Sequence, residues 1–265
     1  MIAGSGVRRR YAVSPVEETR DRPVLVYAIV RVEGTPLRRS GRQEGTPLRR
    51  SGTKTLRSIG GERLRLVRLP AGALAKAGRG TLAAVVSDRS GVASSPANLR
   101  RYDRVMRELA ARFPAILPAR FGPAVDEDEL MFILSSRRES LTRALAMVRG
   151  RVQMTIRVLP RGGAEDRAIA QAREQRAGAM TGRDYLAGKA RAARAVAGFE
   201  PVRAAVTRWV RDERVERRGG VSSVYHLIPR ASAGAYRRAV QASAASAGLR
   251  LTVSGPWPPY AFAAD

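Results

Sequence analysis

Cysteine is absent from the 265-residue chain, and histidine occurs once, at position 226. The first absence removes disulfide frameworks, thiolate nucleophiles, zinc-thiolate and iron-sulfur sites; the second removes any metal site built from a histidine cluster. Aromatic residues are scarce, at 5% of the chain, which leaves few platforms on which bases could stack. Lysine is nearly missing as well: Lys54, Lys76 and Lys189 are the three, so almost all of the 49 basic residues are arginine. No run of about 18 apolar residues is present, and the start, with Arg8, Arg9 and Arg10, has no apolar signal-peptide core, so a soluble cytoplasmic protein is expected. The Walker A, Rossmann, nucleophile-elbow, kinase and zinc-protease motifs are missing too; Gly52-Thr53-Lys54-Thr55 lacks the Gly-Lys step of a phosphate loop. No reaction, cofactor or metal is expected.

What is present is apolar material and positive charge. Apolar residues make up 44%, enough for a core in one large or two ordinary domains. The net charge is +26, spread as +10, +7 and +9 over residues 1–68, 69–160 and 161–265. A cationic surface without a basic tail favours contact with polyanions and speeds encounter with an acidic protein.

Residues 1–22 lack periodicity and read as a flexible arm. Val24 to Val32 is β-branched and apolar on both faces, as in a central strand. EGTPLRRSG then occurs twice, at 33–41 and 44–52; two copies are too few for a solenoid, so residues 33–60 are expected to be a mobile surface insertion. Strands follow at 63–69 and 81–87. Ser95 and Pro96 open a helix whose stripe is Leu99, Tyr102, Val105, Met106, Leu109 and Phe113, with Arg104 and Glu108 spaced for an ion pair. Ala115 to Gly122 reads as an edge-type strand containing Pro118.

Asp126 to Glu129 is an acidic first turn with capping-box spacing rather than a metal site. Leu130, Leu134, Leu141, Leu145 and Val148 continue a helical stripe, with a break at Ser135 and Ser136. After a strand at 151–159, residues 165–195 suit one or two exposed helices. Pro201 opens a helix striped by Phe199, Val202, Val206, Trp209 and Val210. Segments 214–218 and 222–228 flank Gly219-Gly220 as a hairpin, an alanine-rich helix spans 231–247 with Gly248 capping it, and 249–254 is a strand. From residue 151 the order is β-α-β-β-α-β, the ferredoxin-like plait.

Basic plaits can bind RNA, but the aromatic signature of RNA-recognition modules is missing, and no specific nucleic-acid binding is expected. His226 alternates onto the face of Val224 and Ile228 and reads as a half-buried structural imidazole, with no acid identifiable beside it.

Three segments resemble the gas vesicle GvpF/GvpL family: LAAVVS at 82–87, AILPARFG at 115–122 and VSGPWPPYAFA at 253–263. YAIV at 27–30 and YHLIP at 225–229 fall in the same order, so the resemblance spans about residues 23–265. It implies an α+β protein of two domains with ferredoxin-like elements, antiparallel sheets and connecting helices: an N-terminal domain over 23–123 and a C-terminal one over 124–265. It further implies a non-enzymatic structural or assembly-accessory role, with the small hydrophobic shell protein and other accessory proteins as partners, in the cytoplasm at the gas vesicle. Two departures are Tyr102, where the family commonly has His, and His226, where it commonly has Tyr.

Within the matched segments, Arg120, Phe121, Gly122, Pro256, Trp257, Pro258, Pro259 and Tyr260 are the candidate interface or domain-junction residues. Prolines on both sides of Trp257 make an edge or strap. Either Trp257, Tyr260 and Phe262 anchor that strap in the core, or they are offered to the shell protein. Either Phe121 is core and Arg120 pairs with an acid, or both face a partner.

Overall fold

The computed structural model describes residues 23–32, 46–47, 56–70, 80–159, 196–218 and 221–263. The N-terminal arm, most of the duplicated segment, the helices expected at 165–195 and the Gly219-Gly220 turn lie outside the described residues.

The first sheet is built around the run that is apolar on both faces. β1 (Pro23–Val32) lies between β4 (Thr81–Ser87) and the short edge strand β5 (Ile116–Pro118), with β6 (Ala124–Asp126) pairing its beginning. Beyond β4 come β3 (Arg65–Arg68) and the two-residue β2 (Thr46–Pro47), giving the order β2-β3-β4-β1-β5. Side chains alternate through the pleat. Leu25, Tyr27, Val30, Ala83 and Val85 face α1 (Pro96–Arg112), while Val24, Leu82, Ala84 and Val86 face α2 (Glu127–Ser136) and α3 (Arg138–Val148). A register shift between Val26 and Ala28 lets Tyr27 and Ala28 both join the α1 side. A sheet covered on both faces explains why these strands read as continuous apolar runs.

The second sheet has the order β10-β7-β9-β8, all antiparallel, from β7 (Arg151–Val158), β8 (Asp212–Arg218), β9 (Val221–Pro229) and β10 (Leu251–Trp257). With α4 (Glu200–Val206) between β7 and β8, and α5 (Ala233–Ser246) between β9 and β10, this is the connectivity expected from sequence. Both helices cover one face: Phe199, Val202, Val206, Tyr236 and Val240 pack on Val152, Met154, Ile156, Val224 and Ile228. On the other face Leu227 joins the cluster of α2 and α3, so these two helices sit between the sheets.

The cap of α1 forms as read, with Ser95 Oγ accepting from Asn98 N at 3.2 Å. Ser95→Ala is expected to cost about 1 kcal/mol, seen as a lower denaturant midpoint at unchanged slope.

Four local expectations change. Residues 56–60 are core rather than mobile: Leu56 and Ile59 are buried, and Tyr27 Oη accepts from Ile59 N at 3.2 Å. Asp126 N-caps α2 without a side-chain bond, because the residue is committed to pairing with Pro23 in β6, so no capping box forms. The acidic turn acts instead through Glu127, which takes two hydrogen bonds from Arg65 at 2.6 and 3.3 Å and so ties α2 to β3. On α1 the ion pair is Asp103 with Arg107, at 2.6 Å, and Leu99 in its first turn is 45% exposed.

Candidate interaction site at the junction of the two sheets

β10 is an edge strand, so Pro256 costs the ladder no inward bond. The strand bulges between Ser254 and Trp257. There Gly255 has φ +114°, and a Cβ would meet Gln153 O at 2.8 Å and the Met154 sulfur at 3.1 Å, so the bend needs glycine. Pro258 and Pro259 are buried, and the 3-10 turn Tyr260–Phe262 follows.

This turn crosses from the plait to the first sheet. Ala261 N donates to the buried Gln153 side chain at 2.7 Å, while Gln153 Nε2 donates to Thr155 Oγ1 at 3.2 Å. Phe262, 1% exposed, enters the cluster of α2 and α3; Tyr260 packs against the cluster of α1. Trp257 is half-buried rather than a core anchor: its Nε1 donates to Ser254 Oγ at 3.2 Å, and Arg107 lies over its ring at 5.0 Å.

The other candidate segment reaches the same place through Tyr102. Its hydroxyl lies 2.7 Å from Ala119 O and 3.2 Å from Tyr27 O, and Phe121 meets its ring edge-on at 5.1 Å. Burial, then the neighbouring Tyr260 and Tyr27 phenols, push the Tyr102 hydroxyl up, so it stays a proton donor. Gly122 has φ +115°, and its carbonyl accepts from Val92 N at 3.0 Å. Arg120 is exposed and has no acidic partner among the described residues. Phe121 and Tyr260 thus converge on the cluster of α1, whereas Arg120 and the outer side of Pro256 face solvent.

A second polar cluster lies inside the plait. His226 is fully buried, with Nδ1 2.6 Å from Tyr236 Oη and Nε2 2.7 Å from Glu213 Oε2. An imidazole tautomer with its proton on Nε2 satisfies both contacts, donating to Glu213 and accepting from Tyr236. Arg203 donates to both Glu213 oxygens, at 3.1 and 3.2 Å. Burial pushes the Glu213 carboxyl up, but the hydrogen bonds from His226 and Arg203 and the guanidinium charge of Arg203 outweigh it and hold it down at about 2. Glu213 is the acid that the sequence reading did not find. The hairpin read from the sequence at Gly219-Gly220 implies Arg218 opposite Val221, and counting back along both strands puts Glu213 opposite His226, which is the observed register of the two strands. Among the described residues no group of His, Asp and Glu is placed to hold a metal ion.

The family model of the gas vesicle synthesis protein GvpL/GvpF matches residues 23–264. The chain belongs to the GvpL/GvpF family. Two crystal structures of GvpF have the same fold. The protein from Anabaena sp. PCC7120 is 16% identical, with a TM-score of 0.58 over 92% of this chain and 99% of its own. That from Microcystis aeruginosa is 16% identical, with a TM-score of 0.60 over 92% of this chain and 100% of its own. No curated protein matches by sequence. The mixed fold of two antiparallel sheets with helices is the one expected.

The two departures from the resembled GvpF/GvpL pattern now have physical accounts. The Tyr102 hydroxyl supplies a donor to the carbonyl just before Arg120, and His226 has both ring nitrogens engaged inside the plait. No helix among the described residues is long and apolar enough to cross a membrane.

Proposed function

We propose that this protein is a non-enzymatic structural or assembly-accessory component of gas vesicles that binds the small hydrophobic shell protein, with other accessory proteins, in the cytoplasm at the vesicle. Membership of the gas vesicle synthesis family over residues 23–264 is the observation that carries the reading. The geometry supports it in two ways. β8, sequence DERVERR, ends the second sheet and has no strand on its outer side among the described residues, so an added strand could pair there, while its charges discourage self-pairing. The strap closes one unit over the other, with α2 and α3 between them, so the division proposed after residue 123 lies at helices that follow that point yet cover the first sheet. Of the candidate residues, Phe121, Pro258, Pro259 and Tyr260 serve the junction in this reading, and Arg120, Gly122, Pro256 and the open side of Trp257 are the docking surface.

Co-purification from vesicle-forming cells is the test: the protein is expected with the shell protein, and its absence from both vesicles and assembly complexes would sink the reading. Arg120→Ala is expected to change stability by less than about 0.5 kcal/mol while weakening shell-protein binding in a pull-down. The charge of +26 favours a second reading, a basic nucleic-acid-binding protein; it requires affinity that falls steeply with salt.

A further inference from the structure

A cavity of about 140 Å³ opens at the junction of the two sheets, and three arginines line it: Arg107, Arg151 and Arg230. They come from separate elements. Arg107 lies on α1, Arg151 opens β7 and Arg230 follows β9; because Arg151 pairs in register with Pro229, the last two arginines are neighbours at one end of the plait. Phe113, Pro114 and Trp257 supply apolar wall, and no carboxylate lines the cavity among the described residues.

Each guanidinium is anchored without being used up. Arg107 pairs with Asp103 at 2.6 Å and stacks over Trp257. Arg151 Nη1 donates to Met147 O at 2.5 Å, and Arg230 Nη2 donates to Ala110 O at 3.0 Å. A guanidinium carries five N–H donors in a rigid fork, so Arg151 and Arg230 each hold further donors in reserve beside the cavity. Asp103 and two backbone carbonyls thus hold three guanidiniums at the rim of one apolar-walled cavity, Arg107 and Arg230 on its exposed side. An oxyanion seated there would be met by charge-assisted donors from more than one of them.

We propose that the junction cavity is an oxyanion site, taking a carboxylate or phosphate group between Arg107, Arg151 and Arg230 and so holding the two sheets together. The ligand chemistry is two or more oxygens on one centre, met by forked donors. Two sources share it, a free phosphate and the carboxylate of an acidic side chain, and neither depends on the shell-protein reading.

Trp257 in the wall gives a direct readout. In the full chain carrying Trp209→Phe, Trp257 is the sole tryptophan, and its fluorescence is titrated with inorganic phosphate and with a short glutamate peptide, each against sodium chloride at matched ionic strength. A saturable change is expected, with a thermal midpoint raised above that in chloride. Arg151→Gln should weaken the binding about tenfold or more, as loss of a charge-assisted fork implies, while Arg100→Gln, an exposed α1 arginine outside the cavity, leaves it unchanged. Should Arg151→Gln not fold, Arg230→Lys keeps the charge, loses the fork and is expected to weaken binding likewise. Saturation by phosphate supports the site with a free oxyanion as ligand, and saturation by the peptide alone supports it with a partner's carboxylate. No saturation beyond chloride, or an equal loss in Arg100→Gln, overturns the proposal.

Discussion

Leucine in place of His226 is expected to destabilise the plait by about 2–5 kcal/mol, since two buried polar groups each lose a hydrogen-bond partner at about 1–3 kcal/mol apiece. The imidazole is fully buried, and both ring nitrogens are engaged. Removing it leaves the Tyr236 hydroxyl without its partner and takes one donor from a Glu213 carboxylate that is 17% exposed. Chemical denaturation checks this, and Tyr236→Phe separates the contributions. Because the two residues share one contact, the double variant should lose less than the sum of the singles, by about 1–2 kcal/mol.

The same cluster sets a pH dependence. Glu213 is held at about 2 in the folded chain, against an ordinary 4.5. A carboxyl depressed by folding contributes its stability in full above the ordinary value and loses it as pH falls towards the folded one. The wild type should therefore exceed Glu213→Gln by on the order of 2–3 kcal/mol at neutral pH, and the gap should close as pH falls from about 5 to about 2. A gap that stays constant over that window would show that Glu213 acts there by packing alone.

Truncating Phe262 to alanine is expected to cost about 3–5 kcal/mol, the range for emptying a buried aromatic site. Phe262 is the point at which the chain beyond the second sheet enters the core of the first, beside Leu227, α2 and α3. The turn is held there by that side chain, by Tyr260 and by the Ala261 N–H bond to Gln153. Phe262→Ala should therefore also release the Ala261 amide to hydrogen exchange far sooner than amides in β9. Retained protection at Ala261 would mean that the prolines alone hold the strap. Trp257→Ala, at a half-buried position, should cost clearly less than Phe262→Ala.

Much of this fold was legible where the signal is local. β1, β4 and β7 are runs rich in β-branched residues, α1 has its cap and stripe, and β8 and β9 pair in the register that a hairpin read between them implies. What escaped depended on residues far apart in sequence. Leu56 and Ile59 are isolated apolar residues in a stretch rich in Ser, Gly and Arg, and their burial follows from the first sheet's face rather than from any pattern of their own. α2 and α3 precede the plait in sequence but pack on both sheets' sides, which a periodicity cannot reveal. Glu213 was within reach, since the hairpin register places it opposite His226; starting the strand at Arg214 hid it. Of the three aromatics in the terminal segment, only the course of the turn after Pro259 decides that Phe262 is buried and Trp257 is not. The arginines of the junction cavity meet from three elements and carry no sequence signature at all.

Direct binding of the purified chain to the gas vesicle shell protein, followed as salt rises from about 50 to about 200 mM with duplex DNA as competitor, tests the account at its centre. Docking through a sheet edge and an apolar-rimmed junction predicts an affinity that changes little over that range and is not displaced by DNA. Binding that collapses a thousandfold or so with salt, or that DNA abolishes, would contradict it and leave the arginine-rich surface as a nucleic-acid interface.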